Sequence, residues 1–230
     1  MSERFFLAAP PHDGRAVLEG DEARHLARVL RAKVGDEVTV FDGRGTAWTA
    51  RVARIDRDAV AVDLLAAAPT RHGFTGTAST LTLAVALPKG DRQKWMVEKL
   101  TELGVARLVP LVTARGVAEA TAAAQARLER VVIEACKQCG RDTLMAIAEP
   151  RTVAEVVAAH RATGGIVVAD RGGAPLAGFD RPVVALVGPE GGFTAEELAA
   201  VEAAGGRRVS LGPHVLRIET AAIALAARLA

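Results

Sequence analysis

Residues 183–193 read VVALVGPEGGF, an apolar run that ends in a glycine-rich turn. The run from Val183 to Val187 shows no polar alternation, which is typical of a strand buried on both faces of a parallel sheet. Thr194 and Glu197 have the spacing of a capping box, so a helix is predicted to begin at Ala195. A glycine-rich loop between a buried strand and a helix lets a ligand approach free backbone N–H groups. A simple connection between two elements would have the same sequence.

A second unit of this kind follows in residues 209–222, which read VSLGPHVLRIETAA. A short strand over Arg208 to Leu211 is predicted to break at Gly212-Pro213, and an apolar helix to run from about Thr220. Because neighbouring parallel strands bring their carboxyl ends to one edge of a sheet, the two turns are expected to line one crevice. The chain lacks the G-x-G-x-x-G and P-loop endings, which disfavours a Rossmann dehydrogenase and a P-loop NTPase.

The first part of the chain has a different pattern. Short, largely alternating segments over residues 37–41, 46–55 and 59–65 are joined by turn sequences and preceded by a predicted helix over Asp21 to Ala32. They predict antiparallel strands in a compact β-barrel. We therefore expect a first domain over residues 1–70, a linker over 71–79 and a second domain over 80–230.

The second domain alternates strand and helix patterns, which predicts a parallel α/β sheet. The predicted strands are residues 81–87, 107–112, 165–169, 183–187 and 208–211, and the predicted helices are residues 92–103, 122–139, 153–162, 195–204 and the C-terminal tail.

Composition restricts the function only weakly. Half of the 230 residues are hydrophobic, and no run approaches the length of a membrane span. The N-terminus has no secretory signal pattern, so a cytoplasmic location is expected. The 29 Lys and Arg nearly balance the 27 Asp and Glu, so an RNA-binding surface requires local clustering.

Cys136 and Cys139 have C-x-x-C spacing. The chain holds only this pair, and the flanking pattern is helical, so a zinc site would lack its other ligands. We predict that both cysteines are structural, in a reducing compartment, and that no metal is bound.

The segment GPEGGF at residues 188–193, with LGPHVLRIETA at 211–221, resembles the C-terminal signature of the bacterial 16S rRNA (uridine N3)-methyltransferases. These enzymes belong to the SPOUT class of knotted S-adenosylmethionine-dependent RNA methyltransferases. The other matching segments are Arg4-Phe5-Phe6, residues 25–35, 87–92, Trp95, Glu98-Lys99, residues 101–105 and 134–141. The resemblance spans essentially the whole chain. It implies a parallel-sheet SPOUT domain with a trefoil knot, preceded by a small PUA-like β-barrel that binds RNA.

The resemblance places the S-adenosylmethionine pocket in the two C-terminal turns. The pocket residues it implies are Gly188, Glu190, Gly191, Leu211, Gly212, Leu216 and Arg217. Adenine has a flat apolar face and a hydrogen-bonding edge, which suit leucine side chains and the backbone of tight loops. Thr220 either donates a hydroxyl to this pocket or caps the last helix. Asp170 to Gly173 form either a third wall or an ordinary turn.

Two charged residues are the candidates for catalysis. Arg217 is expected to reach the mouth of the crevice, where it would hold RNA or stabilise negative charge on uracil. The alternative for Arg217 is an ion pair with Glu219 or Glu190. Methylation at N3 requires loss of an imino proton, and Glu190 is a candidate base. The other possibility is that positioning suffices and solvent takes the proton. His214 stands where the family more often has arginine.

Five basic residues are the candidates for binding RNA. Arg24, Arg28 and Arg31 are spaced for one face of the N-terminal helix, either as phosphate contacts or as a solvated surface. Lys89 and Arg92, with Asp91 between them, open the first helix of the second domain. They either contact RNA or provide capping, for which Asp91 is well placed.

The sequence therefore predicts a methyltransferase that acts on N3 of a uridine in 16S rRNA, with the small ribosomal subunit or its RNA as partner. By resemblance it is a homodimer, and the apolar C-terminal helix is a candidate interface. The alternatives are a SPOUT enzyme with another tRNA or rRNA target, or a non-catalytic RNA-binding protein that keeps the fold.

Overall fold

The computed structural model describes residues 3–68, 80–116, 122–162, 165–176 and 183–229. The chain divides into two compact units. The first comprises Met1–Thr75 and Ile133–Leu144, and the second comprises Gly76–Val132 and Met145–Ala230. The predicted linker at residues 71–79 lies outside the described residues, and the division of function between two domains stays a prediction.

The first unit is built on a five-stranded sheet in the order β1-β3-β4-β5-β2. Its strands are β1 (Arg4–Phe6), β2 (Arg15–Glu19), β3 (Glu37–Phe41), β4 (Ala47–Ile55) and β5 (Ala59–Ala67). β1 pairs with β3 in parallel, and the other pairs are antiparallel. The alternating side chains that point inward form one apolar core that includes Phe5, Leu18, Val40 and Val60. The three predicted strands are confirmed.

The predicted helix over residues 21–32 is shorter than expected. Helix α1 (Gly20–Arg24) continues as a single π-helical turn over His25–Val29, and Arg31 has a positive φ of 54°. A residue with that backbone conformation cannot continue a right-handed helix. The expected stripe of three arginines on one helical face is therefore wrong, because Arg31 lies beyond the helix.

Residues 133–144 belong to the first unit, although they lie far along the chain. Lys137 donates a hydrogen bond of 2.9 Å to Glu22, and Arg4 forms an ion pair with Asp142. The N–H of Leu144 donates to the carbonyl of Gly43 at 2.9 Å. These bonds join the segment to strands and helix of the N-terminal region.

The second unit holds a parallel sheet of seven strands in the order β12-β10-β11-β6-β7-β8, with β9 also paired to β7. Its strands are β6 (Thr82–Val85), β7 (Arg107–Val112), β8 (Ala146–Ile147), β9 (Arg151–Thr152), β10 (Ile166–Pro175), β11 (Val184–Val187) and β12 (Arg207–Ser210). Its helices are α2 (Asp91–Glu102), α3 (Ala122–Cys139, which ends in the first unit), α4 (Val153–His160), α5 (Ala195–Ala203) and α6 (Ile218–Leu229). The predicted parallel α/β fold is confirmed.

The decisive stretch folds as its pattern predicts. β11 lies between β10 and β6, and each of its four residues is buried. The N–H of Thr194 donates to the Glu197 carboxylate at 2.8 Å, and the Glu197 N–H donates to the Thr194 hydroxyl at 3.2 Å. This capping box begins α5 at Ala195.

The two glycine-containing turns do not follow neighbouring strands. β10 lies between β11 and β12 and is longer than expected, with a shift of register between Ala169 and Ala174. Asp170 to Gly173 lie within β10, so the interpretation of this segment as an ordinary turn is wrong. The trefoil knot implied by the resemblance stays a prediction.

Candidate functional site

A cavity of about 200 Å³ opens in the second unit at the ends of β11 and β12. The intervening β10 contributes its wall beyond Val168, the last residue that pairs with β11. The lining residues are Ala169, Asp170, Arg171, Val187, Gly188, Pro189, Glu190, Gly192, Phe193, Ser210, Leu211, Gly212, His214, Val215, Leu216, Ile218 and Ala221. The two turns thus share one crevice, with β10 as its third wall.

The structure brings together five of the eight residues predicted to bind the methyl donor. Those in the lining are Gly188, Glu190, Leu211, Gly212 and Leu216. Gly191, Arg217 and Thr220 are not among the lining residues of this cavity. Arg217 and Thr220 are both exposed. Their assigned roles stay predictions.

The first turn owes its shape to its glycines. A Cβ atom at Gly188 would lie 2.9 Å from the ring of Phe193, which is closer than real Cβ contacts come. Gly192 has a positive φ of 68°, and its N–H donates to the Pro189 carbonyl at 2.8 Å. The absence of a side chain at Gly188 and at Gly192 therefore allows the turn to keep this shape.

Asp170 anchors the third wall. Its carboxylate accepts hydrogen bonds from Arg208 at 3.0 and 2.5 Å and from the N–H of Gly172 at 2.9 Å. Partial burial acts to raise the pKa of Asp170, but these hydrogen bonds outweigh it and hold the pKa below its ordinary value. The ion pair between Asp170 and Arg208 links β10 to β12 beside the cavity.

A loop that no sequence pattern predicted supports the first turn from outside the cavity. Arg115, after β7, donates a hydrogen bond of 2.7 Å to the carbonyl of Gly191. The N–H of Ala114 donates at 3.0 Å to Glu197, the residue that completes the cap of α5. Because Arg115 and Gly191 are 76 residues apart, only the folded chain reveals the contact.

A second cavity of about 210 Å³ lies at the ends of β6 and β7. The lining residues are Ala86, Leu87, Pro88, Lys89, Arg92, Leu111, Gly116, Pro189, Glu190 and Ile218. The RNA-binding candidates Lys89 and Arg92 are thus in one wall; Lys89 is exposed and Arg92 is half-buried. α2 begins after Gly90 without a side-chain cap, so capping is not their contribution.

Arg92, rather than Arg217, forms the ion pairs with Glu190 and Glu219. Its Nη1 atom lies 3.8 Å from Oε1 of Glu190 and 3.8 Å from Oε1 of Glu219. The side chain of Glu219 is only 6% exposed. The sequence did not single out Arg92 as the partner of these two carboxylates.

The other predicted sites lie in the first unit. Arg24, Arg28 and Arg31 are exposed, and Arg24 pairs with Asp21. Burial raises the pKa of the Cys136 thiol to about 12. Within the described ranges, no three His, Cys, Asp or Glu side chains are grouped to hold a metal ion. Of the helices in those ranges, none has the length and apolar character to cross a membrane.

Comparison with known proteins identifies the family. Residues 76–230 match the family model of an RNA methyltransferase domain, and residues 18–65 match that of an RNA methyltransferase PUA domain. The first match covers more than half of the chain. This chain belongs to the RNA methyltransferase family. The predictions of an RNA methyltransferase and of a PUA-like first region are thereby confirmed.

Individual relatives agree with this family. The chain is 31% identical to ribosomal RNA small subunit methyltransferase E of Rickettsia conorii, over 90% of this chain and 85% of that protein. The structure of ribosomal RNA small subunit methyltransferase E from Neisseria gonorrhoeae, bound to S-adenosyl methionine, is 30% identical with a TM-score of 0.87, covering 99% of this chain and 96% of that one. A methyltransferase from Legionella pneumophila with bound SAM is 28% identical with a TM-score of 0.87, covering 98% and 96%.

Proposed function

We propose that this protein transfers the methyl group of S-adenosylmethionine to N3 of a uridine in 16S rRNA. The observation that carries the proposal is the cavity formed by the GPEGGF and LGPHVL turns, in a chain of the RNA methyltransferase family. Support comes from relatives named for ribosomal RNA of the small subunit, one of which binds the same methyl donor.

The residues of the first cavity fit the donor. Leu211 and Leu216 offer apolar surface for adenine, and the glycine turns offer backbone N–H and carbonyl groups for its edge. A side chain at Gly188 would collide with the Phe193 ring, so glycine keeps the first turn in this shape. When bound, the donor supplies an electrophilic methyl group on a positively charged sulfur. Gly191, Arg217 and Thr220 remain proposed donor-site residues beside this cavity.

Glu190 is the proposed general base. It lines both cavities, and its side chain is 60% exposed, so it can pass a proton to water. A carboxylate within reach of N3–H can take that proton as the methyl group arrives. Arg217, an exposed residue just before α6, is the proposed contact to the RNA backbone near the target nucleotide.

The remaining RNA surface is proposed to include Arg24, Arg28 and Arg31 of the first unit, which are exposed. The proposed homodimer requires a surface on α6. Ala222, Leu225 and Ala226 of that helix are already buried within the chain, whereas Ile223 and Leu229 are half-exposed. These two half-exposed apolar side chains are proposed to meet a second copy.

The test is methyl transfer to small ribosomal subunits, and separately to naked 16S rRNA, both isolated from cells that lack the modification. Nuclease digestion and mass spectrometry are expected to show new 3-methyluridine in the RNA. Methylation of a different base, or of transfer RNA alone, would overturn the proposed target. Donor binding in calorimetry without transfer to any RNA would indicate a non-catalytic protein.

A further inference from the structure

The second cavity adjoins the first, because the two share lining residues. Pro189, Glu190 and Ile218 line both cavities. A group transfer needs its two reactants held within reach of each other. If the donor occupies the first cavity, as the proposed function has it, the acceptor nucleotide must enter beside these shared residues.

The lining of the second cavity matches the chemistry of uracil. Leu87, Pro88 and Leu111 form apolar walls, whereas Lys89 and Arg92 bring positive charge. Uracil has flat apolar faces and an edge on which N3–H lies between two carbonyl oxygens. As N3 loses its proton, negative charge spreads onto those oxygens, where a guanidinium can donate hydrogen bonds. A phosphate group alone would have no use for the apolar walls.

Arg92 is held by charge and still has donors to offer. Among the described residues it forms two ion pairs, with Glu190 and Glu219, and both are 3.8 Å long. That separation exceeds the range of a hydrogen bond, so neither carboxylate takes up an N–H group of the guanidinium. With five N–H donors in a fixed plane, the side chain can therefore bind a planar acceptor in the cavity.

Glu219 is buried at a cost that packing alone does not explain. Its side chain is 6% exposed, and its Oε2 atom has no hydrogen-bond partner in the described part of the chain. Burying an incompletely hydrogen-bonded carboxylate is unfavourable. Glu219 lies in the first turn of α6, and its Oε1 atom is 3.8 Å from Nη1 of Arg92, so its charge faces the guanidinium.

We propose that the second cavity receives the uracil ring of the target uridine, that Arg92 binds a carbonyl oxygen next to N3, and that Glu219 positions Arg92. This proposal rests on the proposed function. N3 gives its proton to Glu190, and its electron pair forms the bond to the methyl carbon. The bond from that carbon to sulfur breaks, and its electron pair stays on sulfur. Arg92 stabilises the charge on the ring oxygens while the proton leaves.

The test varies the acidity of the base together with Arg92. Small subunits are reconstituted with 16S rRNA transcribed with either uridine or 5-fluorouridine, whose N3–H is more acidic. Arg92→Ala is expected to lower kcat/KM about 100-fold on the uridine substrate, as loss of a transition-state donor does. The loss on the fluorinated substrate is expected to be several times smaller, because the anion then needs less stabilisation.

The same comparison tests the positioning role of Glu219. Glu219→Gln keeps the shape of the side chain and removes its charge, so kcat/KM is expected to fall about tenfold, the effect of one charge-assisted contact. If Glu219 were merely structural, kcat/KM would fall by the same factor on both substrates. If it positions Arg92, the fall in kcat/KM is expected to be smaller on the 5-fluorouridine substrate. Arg92→Lys retains the charge and supplies a second variant if the alanine protein does not fold.

The matched control is Lys94→Ala, which removes one positive charge at an exposed position of the same helix. It is expected to leave both rates unchanged. Calorimetric donor binding should be unaltered in every variant. An inactive wild-type protein would overturn the proposed function itself. An active wild type, with Arg92→Ala equally impaired on both substrates or not impaired at all, would overturn the assignment of the second cavity.

Discussion

The two cavities of the second unit lie side by side and are built from different material. The first combines the glycine turns and two leucines with the polar side chains of Asp170, Arg171, Glu190 and His214, whereas the second carries the basic pair Lys89 and Arg92 beside Glu190. Backbone groups do not titrate and suit a ligand of constant shape. Charged side chains can respond to a charge that develops only during reaction. We therefore assign binding to the glycine turns of the first cavity and stabilisation of the reacting charge to the basic pair of the second.

The largest effect is expected from a side chain added to the glycine turn of the first cavity. Gly188→Val would bring its Cβ to 2.9 Å from the Phe193 ring and force the turn to move. We expect methyl transfer to fall about 100-fold, as displacement of a positioned group by about 1 Å can do. Calorimetry should show weaker donor binding. Ala203→Val, at an exposed position of α5, adds similar bulk and should change neither.

If Gly188→Val bound the donor normally, the first cavity would not be the donor site, and the two cavities could not have the separate roles proposed for them.

A smaller effect is expected from the side chain that supports the turn from outside both cavities. Arg115→Ala removes the 2.7 Å hydrogen bond to the Gly191 carbonyl. Because this contact is exposed, we expect the free energy of donor binding to weaken by only about 1 kcal/mol, which is about a fivefold fall in donor affinity. Titration calorimetry measures it. An unchanged affinity would show that the glycine turn holds its shape without help.

The contribution of the third wall to the free energy of unfolding is expected to depend on pH. The pKa of Asp170 is held below its ordinary value of 3.8, so its pair with Arg208 stabilises the fold above that pH. This stabilisation is lost as the pH falls through the lowered pKa. Asp170→Asn should therefore be less stable than wild type at pH 7, with a difference that shrinks below pH 3.8. Urea unfolding across this range is the measurement; a constant difference would contradict the ion-pair account.

The smallest effect on methyl transfer is expected at the cap of α5. Thr194→Ala removes the hydroxyl that accepts from the Glu197 N–H and should cost about 1 kcal/mol of unfolding free energy. Thermal unfolding measures it. Since Thr194 does not line either cavity, transfer by the folded protein should be unchanged. A large loss of activity would show that the cap also shapes the first turn.

Local signals in the sequence predicted the local structure of the site. The apolar run of β11, the capping box at Thr194 and the bounds of α3 and β7 were all confirmed. Each rests on residues close together in the chain, where periodicity and turn chemistry act directly. The identity of the first cavity's glycines and leucines followed from the same segments and the family resemblance.

Long-range arrangement could not be predicted in this way. That β10 separates β11 from β12 depends on strand order, which no local pattern encodes. The contact of Arg115 with Gly191 and the ion pairs of Arg92 join residues distant in sequence. β1 is only three residues long, too short for its alternation to be recognised. The π-helical turn that displaces Arg31 has no simple sequence signal.

The first unit is discontinuous, and this has a consequence for synthesis on the ribosome. Its last residues, 133–144, include Lys137 and Asp142, the partners of Glu22 and of the nearly buried Arg4. An emerging chain that has reached only residue 75 must leave both charges unmatched. The N-terminal unit therefore has to wait for more than half of the polypeptide before it can mature, and a nascent chain stalled in between is the form most exposed to chaperones and proteases.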